Sequence, residues 1–567
     1  MSSAPRPLSC LAASAALIVG WAARGQPIPV TPPTVGSANT ATADPRVPRP
    51  STTPCRVRLF TDIRFADFSP KLFHYAPPAA CPGPWRQAVL EIDFSVEAGR
   101  QFDRTANLWI GGVNVYFGTT AEPSRAVGRA WHVERDLTEY STLLLAPADG
   151  RADLGNLVNS RYTSALWGTA ELVFYPRHSA EGDEDAPRTA DVVLPLSSSP
   201  TGGTVALFDP SAALAATFTR LPTNVERAFL DVVLQHQGAN DEFWYTCVPD
   251  ALADALQSCV GTAFREGEVS LDGQPAGVVP IYPWIFTGGI DPLLWRPIPA
   301  VQALNFVPYR VDLTPFAGVL SDGRPHRVAI TVFNNSRYFS TTATLLLYLD
   351  RGSEHVTGEV TRNTLGAPTP VVRNGLSTAS DGTISGNLTT AASRHFVIEG
   401  WVRTSRGRVH TEVNQRIDFT NSQDFIAPLA VPQEFVQNIR QLTSISSTTK
   451  VRGGRRSRES TTHMSWPLAA DLKVFIDGKG NFVSQLASIG QGYERSDTVS
   501  REGEVQSHAV VSNHGAWADD YPSGRGQAGS QRYFSADSEG ACYSRALGAA
   551  GGLLSSIADG VDCGDDD

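Results

Sequence analysis

Short stretches of alternating apolar and polar residues follow one another from Cys55 to about residue 352, and clusters of turn residues separate them. Such alternation puts the apolar side chains on one face of a strand, as in a half-buried β-sheet. One series of stretches covers residues 55–200, and a second covers residues 201–352. Because helical periodicity is scarce in both, the pattern predicts an all-β protein with two antiparallel sandwiches of the jelly-roll kind.

The remainder of the chain, residues 353–567, alternates in the same way and predicts a third, β-rich region. Within it, we expect the basic stretch Lys450–Ser460 to be a solvated loop, with cleavage of the mature chain as the alternative. The clearest helical candidate in the chain is the segment between Cys247 and Cys259, which predicts one short helix tied off by a disulfide.

The N-terminal residues 1–25 have a positive start at Arg6, an apolar run rich in small residues, and a change to polar, Pro-rich sequence. These features are typical of a secretory signal peptide, with a single N-terminal anchor as the weaker alternative. Residues 26–54 are rich in Pro, Thr and Ala and predict an unstructured leader. We therefore expect a protein that is secreted, or lumenal in an acidic compartment, and that is not embedded in a membrane.

Six cysteines follow the predicted signal peptide, and they fall into three pairs that are local in sequence. An even number of cysteines in a secreted chain favours disulfides, and the spacings of a zinc site do not occur. We expect neither a metal nor another cofactor. The formal net charge of −10 argues against a nucleic-acid partner, because such binding needs a basic face.

The first candidate for chemistry is the stretch GRQFDRTANLWIGG, which alternates like a strand after Asp103. Counting by two from Asp103 puts a hydroxyl, an amide and an indole on its face, at Thr105, Asn107 and Trp109. Asp is uncommon within strands, so Asp103 is expected at or near the start of one. By residue type alone, it would pair with Arg104 or cap a turn.

A second candidate is the loop QGANDEFWY, where Asp241 and Glu242 directly precede Phe243, Trp244 and Tyr245. Aromatic rings stack on the apolar faces of sugars, and carboxylates bind hydroxyl groups or move protons. Apolar surroundings also raise the pKa of a carboxyl group, which can make Glu an acid near neutral pH. The alternative is an aromatic core cluster with exposed acids beside it.

A third candidate is the stretch FTGGIDPLLWRPIP, in which Gly288 and Gly289 permit close approach of the backbone. Asp291, Trp295 and Arg296 could line a polar ligand. The alternative is a connection shaped by Gly and Pro whose Trp fills the core. The motifs of serine hydrolases, nucleotide hydrolases and zinc peptidases do not occur in the sequence.

In combination, GRQFDRTANLWIGG, TAEP, LGNLV, NDEFWY, FREGEVSLDG and TGGIDPLLWRPI resemble the peptide-N-glycosidase A family over residues 55–350. This resemblance implies a glycoamidase that cleaves N-linked glycans from asparagine in glycoproteins or glycopeptides. It implies aspartate and a glycosylamine as products. We expect a monomer that needs no partner besides its substrate.

A fainter resemblance connects FDRTANLWI and the LPTN…DEFW pair with the peptide-N-glycosidase F enzymes, which are two packed jelly rolls. It implies that Asp103 is the essential acid and that Glu242 is the second carboxylate. That family has a third glutamate, for which the corresponding region here offers only Asn156. The resemblance also implies Trp295 as a sugar contact. The expected substrate-binding residues are Arg104, Asn156, Asp241, Trp244, Asp291, Trp295 and Arg296.

Two other functions fit the same residues. A glycosidase with two carboxylates would cut between sugars and leave one sugar on the asparagine. A lectin on the same scaffold would bind glycans without turnover, because a fold does not fix a function.

Overall fold

The computed structural model describes residues 26–177, 188–454 and 456–563, apart from the side chains of Ala239 and Asn240. Its strands pair antiparallel, which confirms the predicted all-β class. The predicted signal peptide at residues 1–25 lies outside the described residues.

The first sandwich consists of two four-stranded sheets, with strand orders β1-β8-β3-β6 and β2-β7-β4-β5. Its strands are β1 Cys55–Phe65, β2 Lys71–Tyr75, β3 Trp85–Val96, β4 Thr105–Ile110, β5 Val113–Thr119, β6 Arg129–Asp136, β7 Ala148–Leu154 and β8 Leu166–Pro176, with a 3₁₀ helix at Thr138–Leu145. The apolar side chains that alternate along these strands form one core between the sheets.

The second sandwich repeats this strand order, as β10-β17-β12-β15 and β11-β16-β13-β14. Its strands are β9 Val192–Pro195, β10 Val205–Leu207, β11 Leu214–Phe218, β12 Val225–Gln237, β13 Glu266–Leu271, β14 Gln274–Pro280, β15 Tyr309–Asp312, β16 His326–Phe333 and β17 Tyr338–Leu349. Its helices are α1 Gly238–Asp241, α2 Asp250–Ala253 and α3 Ala317–Leu320, with 3₁₀ turns at Trp244–Thr246 and Thr314–Phe316. The shared order accounts for eight antiparallel strands in two sheets, the number found in a jelly roll, and β9 adds a ninth strand to the second sandwich.

The strand β9 pairs with β17 and therefore belongs to the second sandwich. The sequence pattern assigned this stretch to the first series, because its alternation does not reveal which strand it pairs with. The second sandwich thus begins before the boundary expected between residues 200 and 201. The predicted short helix is present as α2, and the three disulfides join the expected cysteines: Cys55–Cys81, Cys247–Cys259 and Cys542–Cys563.

The C-terminal region forms one antiparallel sheet of eleven strands, here called the C-terminal sheet. Its strands are β18 Thr357–Asn363, β19 Val371–Thr378, β20 Ile384–Thr404, β21 Gly407–Ala427, β22 Gln433–Gly453, β23 Arg456–Ile476, β24 Phe482–Arg501, β25 Glu504–Tyr521, β26 Ala528–Asp537, β27 Cys542–Ala550 and β28 Leu553–Asp559. One face packs on the second sandwich and shares its core, as where Tyr282 meets Trp466.

Two expectations about the chain outside the sandwiches need correction. The basic stretch is solvated as expected, since residues 456–459 are exposed, but its parts 450–453 and 456–460 belong to the paired strands β22 and β23 and not to an irregular loop. The leader at residues 26–54 has no helix or strand, but it is not unstructured. It lies on the C-terminal sheet, where Gly36 N–H donates to the Leu554 carbonyl at 2.7 Å. In the part of the chain that the structure describes, no helix is long and apolar enough to cross a membrane.

Candidate active site

Four loops meet where the two sandwiches face each other. Asp103 lies two residues before β4, and Glu122 lies three residues after β5. Glu242 follows α1 at the end of β12, and Gly288 lies in the long connection after β14. The β4–β5 hairpin turns through two glycines with positive φ, so the two strand ends that carry Asp103 and Glu122 return to the same edge.

Hydrogen bonds across the interface hold the two sandwiches in register beside these loops. Gln235 Nε2 on β12 donates to Thr105 Oγ1 at the start of β4, over 2.8 Å. The Tyr116 hydroxyl on β5 donates to the Leu304 carbonyl at 2.7 Å. Both contacts join residues distant in sequence, so the position of Asp103 relative to the second sandwich is fixed by the fold.

The carboxylate of Asp103 lies against the backbone of Gly288, whose amide N–H donates to it. A Cβ added at Gly288 would collide with Asp103 Oδ1. Burial raises the pKa of Asp103 to about 6, although the neighbouring Arg104 charge and the Gly288 amide oppose this rise. Asp103 can therefore accept a proton at mildly acidic to neutral pH.

Glu122 is a second carboxyl group at the same place, and the sequence did not indicate it. Its Oε2 atom would lie 3.1 Å from a Cβ at Gly288, on the same side as Asp103. Within the described ranges, this buried oxygen has no hydrogen-bond partner. Burial raises the pKa of Glu122 to about 8, and the Asp103 charge adds to the rise while Arg296 opposes it. Glu122 therefore remains protonated well above the usual range of a glutamate.

Glu242 reaches the site from the second sandwich. Burial raises its pKa to about 7, and the Asp103 charge contributes. Its backbone is held by His236, whose Nδ1 lies 2.7 Å from the Glu242 carbonyl. Because a carbonyl only accepts, Nδ1 carries the proton, and burial lowers the pKa of His236 to about 3. His236 is a neutral support of the loop.

The three carboxyl groups lose their protons at different pH values, since Asp103 has the lowest pKa and Glu122 the highest. Near pH 6 to 7, an ionised Asp103 and protonated glutamic acids coexist in one cleft. Carboxyl groups whose pKa values differ in this way can act as base and acid in one reaction.

Two residues that the sequence suggested as ligand contacts are fully buried, and their side chains form an ion pair or hydrogen bonds within the protein. Asp241 forms a 2.9 Å ion pair with Arg265 and accepts a 2.6 Å hydrogen bond from the Arg337 backbone. Asn156 donates from Nδ2 to the Phe65 carbonyl at 2.9 Å. Both side chains anchor loops and do not face the cleft.

Trp244 and Trp295, the two tryptophans expected as substrate contacts, are also buried, and so is Trp109 on the Asp103 strand. Trp244 packs on Phe419 of the C-terminal sheet, and Trp109 is fully enclosed. Trp295 packs on Trp517 and donates its indole N–H to a backbone carbonyl at 2.8 Å. No ring face is open for a sugar, so these indoles support the site from behind.

Backbone amides such as those of Gly288 and Gly289 can stabilise an oxyanion, but both are already engaged. Gly288 N–H donates to Asp103, and Gly289 N–H donates to the Phe286 carbonyl at 2.8 Å. Arg104 remains available, because its buried Nε has no hydrogen-bond partner among the described residues. Its Nη2 donates to Gln101 at 3.2 Å.

Arg296 connects the site to the C-terminal sheet. Its Nη2 donates to the Pro123 carbonyl at 2.7 Å, next to Glu122, and its charge also acts on Asp291 and Asp519. Asp291 is fully buried, and burial together with the charge of Asp519 raises its pKa to about 7, against the Leu293 amide that donates to it. Asp291 can therefore balance the Arg296 charge only above about pH 7, where it is ionised.

Two pairs of partly exposed aromatic rings flank the carboxyl groups, and the sequence did not single them out. Phe102, beside Asp103, is 42% exposed and packs on Tyr162 with ring centroids 5.1 Å apart. Phe208 is 62% exposed and packs on Tyr338 at 5.5 Å. The Glu242 charge acts on Tyr338, which places this pair near the second carboxyl group. An aromatic residue directly before Asp103 was the one available signal.

Fold and site together define an antiparallel β-sandwich protein with a cleft lined by three carboxyl groups. A family model described as peptide N-acetyl-beta-D-glucosaminyl asparaginase amidase A matches residues 45–365. The chain is 33% identical over 414 residues to peptide-N4-(N-acetyl-beta-glucosaminyl)asparagine amidase A of Prunus dulcis, which covers 70% of each chain. The chain belongs to the peptide N-acetyl-beta-D-glucosaminyl asparaginase amidase A family.

Solved structures overlap part of this chain. PNGase F, a glycosylasparaginase from Flavobacterium meningosepticum, shares 12% identity, and the match covers 52% of this chain and 96% of that one at a TM-score of 0.34. PNGF-II shares 13% identity, and the match covers 52% and 66% at a TM-score of 0.35. No site residue is assigned from these overlaps.

Proposed function

We propose that this protein is a glycoamidase that hydrolyses the amide bond between an N-linked glycan and asparagine in glycoproteins or glycopeptides. The observation that carries the proposal is the cluster of Asp103, Glu122 and Glu242 in one cleft between the sandwiches. Membership of the amidase A family supports the same reaction.

In the proposed reaction, ionised Asp103 accepts a proton from a water molecule. The water oxygen then bonds to the carboxamide carbon of the asparagine. The bond from that carbon to the glycan nitrogen breaks, and the nitrogen takes a proton from Glu242 on the sugar side. The products are an aspartate in the peptide and a glycosylamine.

Glu122 is proposed as the third carboxyl group, which holds the substrate amide or returns the proton between turnovers. Its unpartnered Oε2 is a buried acceptor beside Asp103, and burial without a partner costs free energy that a substrate N–H would recover. Arg104 is proposed to stabilise the negative charge that develops on the carboxamide oxygen.

The pairs Phe102–Tyr162 and Phe208–Tyr338 are proposed to contact the sugar rings nearest the scissile bond. Their rings are the exposed aromatic surfaces beside the carboxyl groups, and aromatic faces suit the apolar faces of pyranoses. The predicted contacts at Trp244 and Trp295 are replaced by these pairs, because those indoles are buried.

We also propose that the protein is secreted and acts as a monomer. Three disulfides within 55–563 are typical of an oxidising compartment, where glycoprotein substrates occur.

The test is mass spectrometry of one N-glycopeptide after incubation in heavy-oxygen water. The proposal expects a free peptide in which aspartate replaces asparagine and carries one heavy oxygen. A peptide that keeps one sugar on asparagine would instead identify an endo-type glycosidase. Glycan binding without any product would identify a lectin.

A further inference from the structure

The C-terminal sheet contributes none of the three carboxyl groups of the proposed active site, but its amide side chains contact both loops of the second sandwich that build this site. One is residues 286–299, here called the Gly288 loop, and the other is residues 238–247, here called the Glu242 loop. Neither loop contains a strand, so their carbonyl groups need hydrogen-bond partners from other parts of the chain. Glutamine and asparagine side chains supply such donors without adding a charge.

The Gly288 loop is held by two glutamines from the C-terminal sheet. Gln485 on β24 donates from Nε2 to the Ile290 carbonyl at 3.2 Å. Gln527, directly before β26, donates from Nε2 to the Arg296 carbonyl at 2.8 Å, and its own Oε1 accepts a 2.6 Å hydrogen bond from the Gly552 amide. Because both ends of the Gln527 side-chain amide are bonded, this residue gives the loop a fixed anchor.

The backbone of the Gly288 loop is strained at Ile290. Its φ is +64°, a left-handed conformation that suits glycine and that a β-branched residue adopts only at a cost in free energy. A strained backbone persists only where its surroundings enforce it. Here the hydrogen bond from Gln485 and the packing of Ile290 on the core shared with the C-terminal sheet enforce it. The turn that places Gly288 against Asp103 therefore depends on the C-terminal sheet.

The Glu242 loop is held in the same way from β21. Asn421 and Gln423 lie two residues apart on this strand and therefore face the same side. Asn421 donates from Nδ2 to the Tyr245 carbonyl at 2.9 Å, and Gln423 donates from Nε2 to the Cys247 carbonyl at 3.0 Å. Both amides are buried. The backbone that follows Glu242 is thus fixed by the C-terminal sheet and not only by its own sandwich.

We propose that Gln485 and Asn421 are positioning residues, through which the C-terminal sheet holds the active-site carboxyl groups in their reactive geometry. The inference rests on the proposed function, which gives these carboxyl groups their roles. Gln485 acts through Gly288 on Asp103, and Asn421 acts through the backbone that follows Glu242. Because neither amide touches the substrate in this proposal, removing either one should lower kcat and leave KM nearly unchanged.

The first test is Gln485→Met, which keeps the length of the side chain and removes the donor. A displacement of about 1 Å can cost about a hundredfold in rate, so the loss of one hydrogen bond to the Gly288 loop should lower kcat on a glycopeptide about tenfold. A looser Gly288 amide stabilises ionised Asp103 less, so the rising limb of the pH–rate profile should move to higher pH. Three other charged groups interact with Asp103 and stay unaltered in this variant: Arg104, Glu122 and Glu242.

Gln415→Met is the matched control. Gln415 is buried on β21 of the same sheet and donates to the Tyr309 hydroxyl on β15 at 2.6 Å, outside both loops. Its substitution removes a comparable contact between the sheet and the second sandwich. We expect a lower midpoint of urea unfolding, but a kcat and a pH–rate profile like those of the parent protein.

Asn421→Leu tests the Glu242 loop. A looser loop lets water reach Glu242 and reduces the burial that raises its pKa, so the falling limb of the pH–rate profile should move to lower pH. Gln485→Met and Asn421→Leu should therefore move opposite limbs of the same profile. Should Asn421→Leu fail to fold, the inference is decided by Gln485→Met, which removes a contact at a less buried side chain.

Hydrogen exchange measured by mass spectrometry separates this inference from the proposed function. Peptides from the Gly288 loop should exchange faster in Gln485→Met and not in Gln415→Met, whether or not the protein cleaves glycopeptides. In an active protein, an unchanged kcat or an unmoved rising limb in Gln485→Met would overturn the inference, as would an equal fall of kcat in Gln415→Met. An inactive parent protein would overturn the proposed function instead, and unchanged exchange in Gln485→Met would then also overturn the hold of the C-terminal sheet on this loop.

Discussion

The Oδ1 atom of Asp103 lies so close to the Cα of Gly288 that no side chain fits between them. A methyl group at Gly288 would displace the Asp103 carboxylate and press toward Glu122. Displacing a reacting group by about 1 Å can cost about a hundredfold in rate. We therefore expect Gly288→Ala to lower kcat on a glycopeptide about a hundredfold.

Gly366→Ala is the control for this substitution, because a Cβ at Gly366 meets open space. Steady-state rates of both variants, together with urea unfolding, check the prediction. Near-normal kcat in a folded Gly288→Ala protein would contradict the close packing of Asp103 against this glycine.

Removing the charge of Asp103 should abolish turnover while the fold persists. Loss of a general base typically lowers a rate by a factor of about 10² to 10⁴. We therefore expect the turnover rate of Asp103→Asn to fall by at least a factor of about 10². The exposed Asp254→Asn serves as the control, since this side chain lies outside the cleft. Circular dichroism checks that the fold persists, and a glycopeptide assay measures turnover. Normal turnover in Asp103→Asn would show that Asp103 is not the general base.

The rate should depend on pH in a bell shape. Asp103 acts ionised, so kcat should rise with pH through its pKa of about 6. Glu242 acts protonated, so kcat should fall as pH passes about 7. Glu242→Gln should remove the falling limb at a lower maximal rate, as seen in a pH–rate profile. If the pH–rate profile of Glu242→Gln kept the same falling limb, Glu122 and not Glu242 would be the acid.

The sequence led to Asp103 and Glu242 because each lies in a distinctive local motif, but it did not lead to Glu122. The short TAEP segment has no alternation or aromatic neighbours that mark it. Glu122 becomes part of the site through the β4–β5 hairpin and through Gly288, which the other sandwich supplies. Such a contact between distant segments leaves no trace in local sequence.

For two tryptophans, local sequence suggested a role in the site that tertiary packing excludes. Trp244 beside two acids has the composition of a sugar cleft, yet Phe419 of the C-terminal sheet covers it. Trp295 is covered by Trp517 in the same way. Alternation predicted the strands of that sheet, but it could not predict which face packs on the second sandwich.

The exposed ring of Phe208 allows substrate binding to be tested separately from the catalytic step. If it packs on a sugar, Phe208→Ala should raise KM about threefold to tenfold and leave kcat nearly unchanged, because an aromatic contact contributes about 0.5 to 1.5 kcal/mol. Phe482→Ala is the matched control, since this ring is also exposed but lies on the C-terminal sheet. An unchanged KM in Phe208→Ala would exclude this ring from the binding surface.

The buried carboxyl pair Asp291 and Asp519 should make stability depend on pH. Both pKa values are raised in the folded protein, and that of Asp291 rises from 3.8 to about 7, so between these values the folded state holds more protons than the unfolded state. The free energy of unfolding should therefore fall as pH rises from about 4 to about 7. Asp519→Asn removes one of the two buried charges and should reduce this fall by roughly 1 kcal/mol.

Urea unfolding at pH 5 and pH 8 measures this difference, and the exposed Glu502→Gln on the same sheet is the control. Because ionised Asp291 and Asp519 repel each other, the gain from Asp519→Asn should appear at pH 8 and be small at pH 5, where Asp291 holds its proton. An equal change in stability at both pH values would mean that packing, and not the charge of Asp519, determines the effect. In that case the raised pKa of Asp291 would come from burial alone.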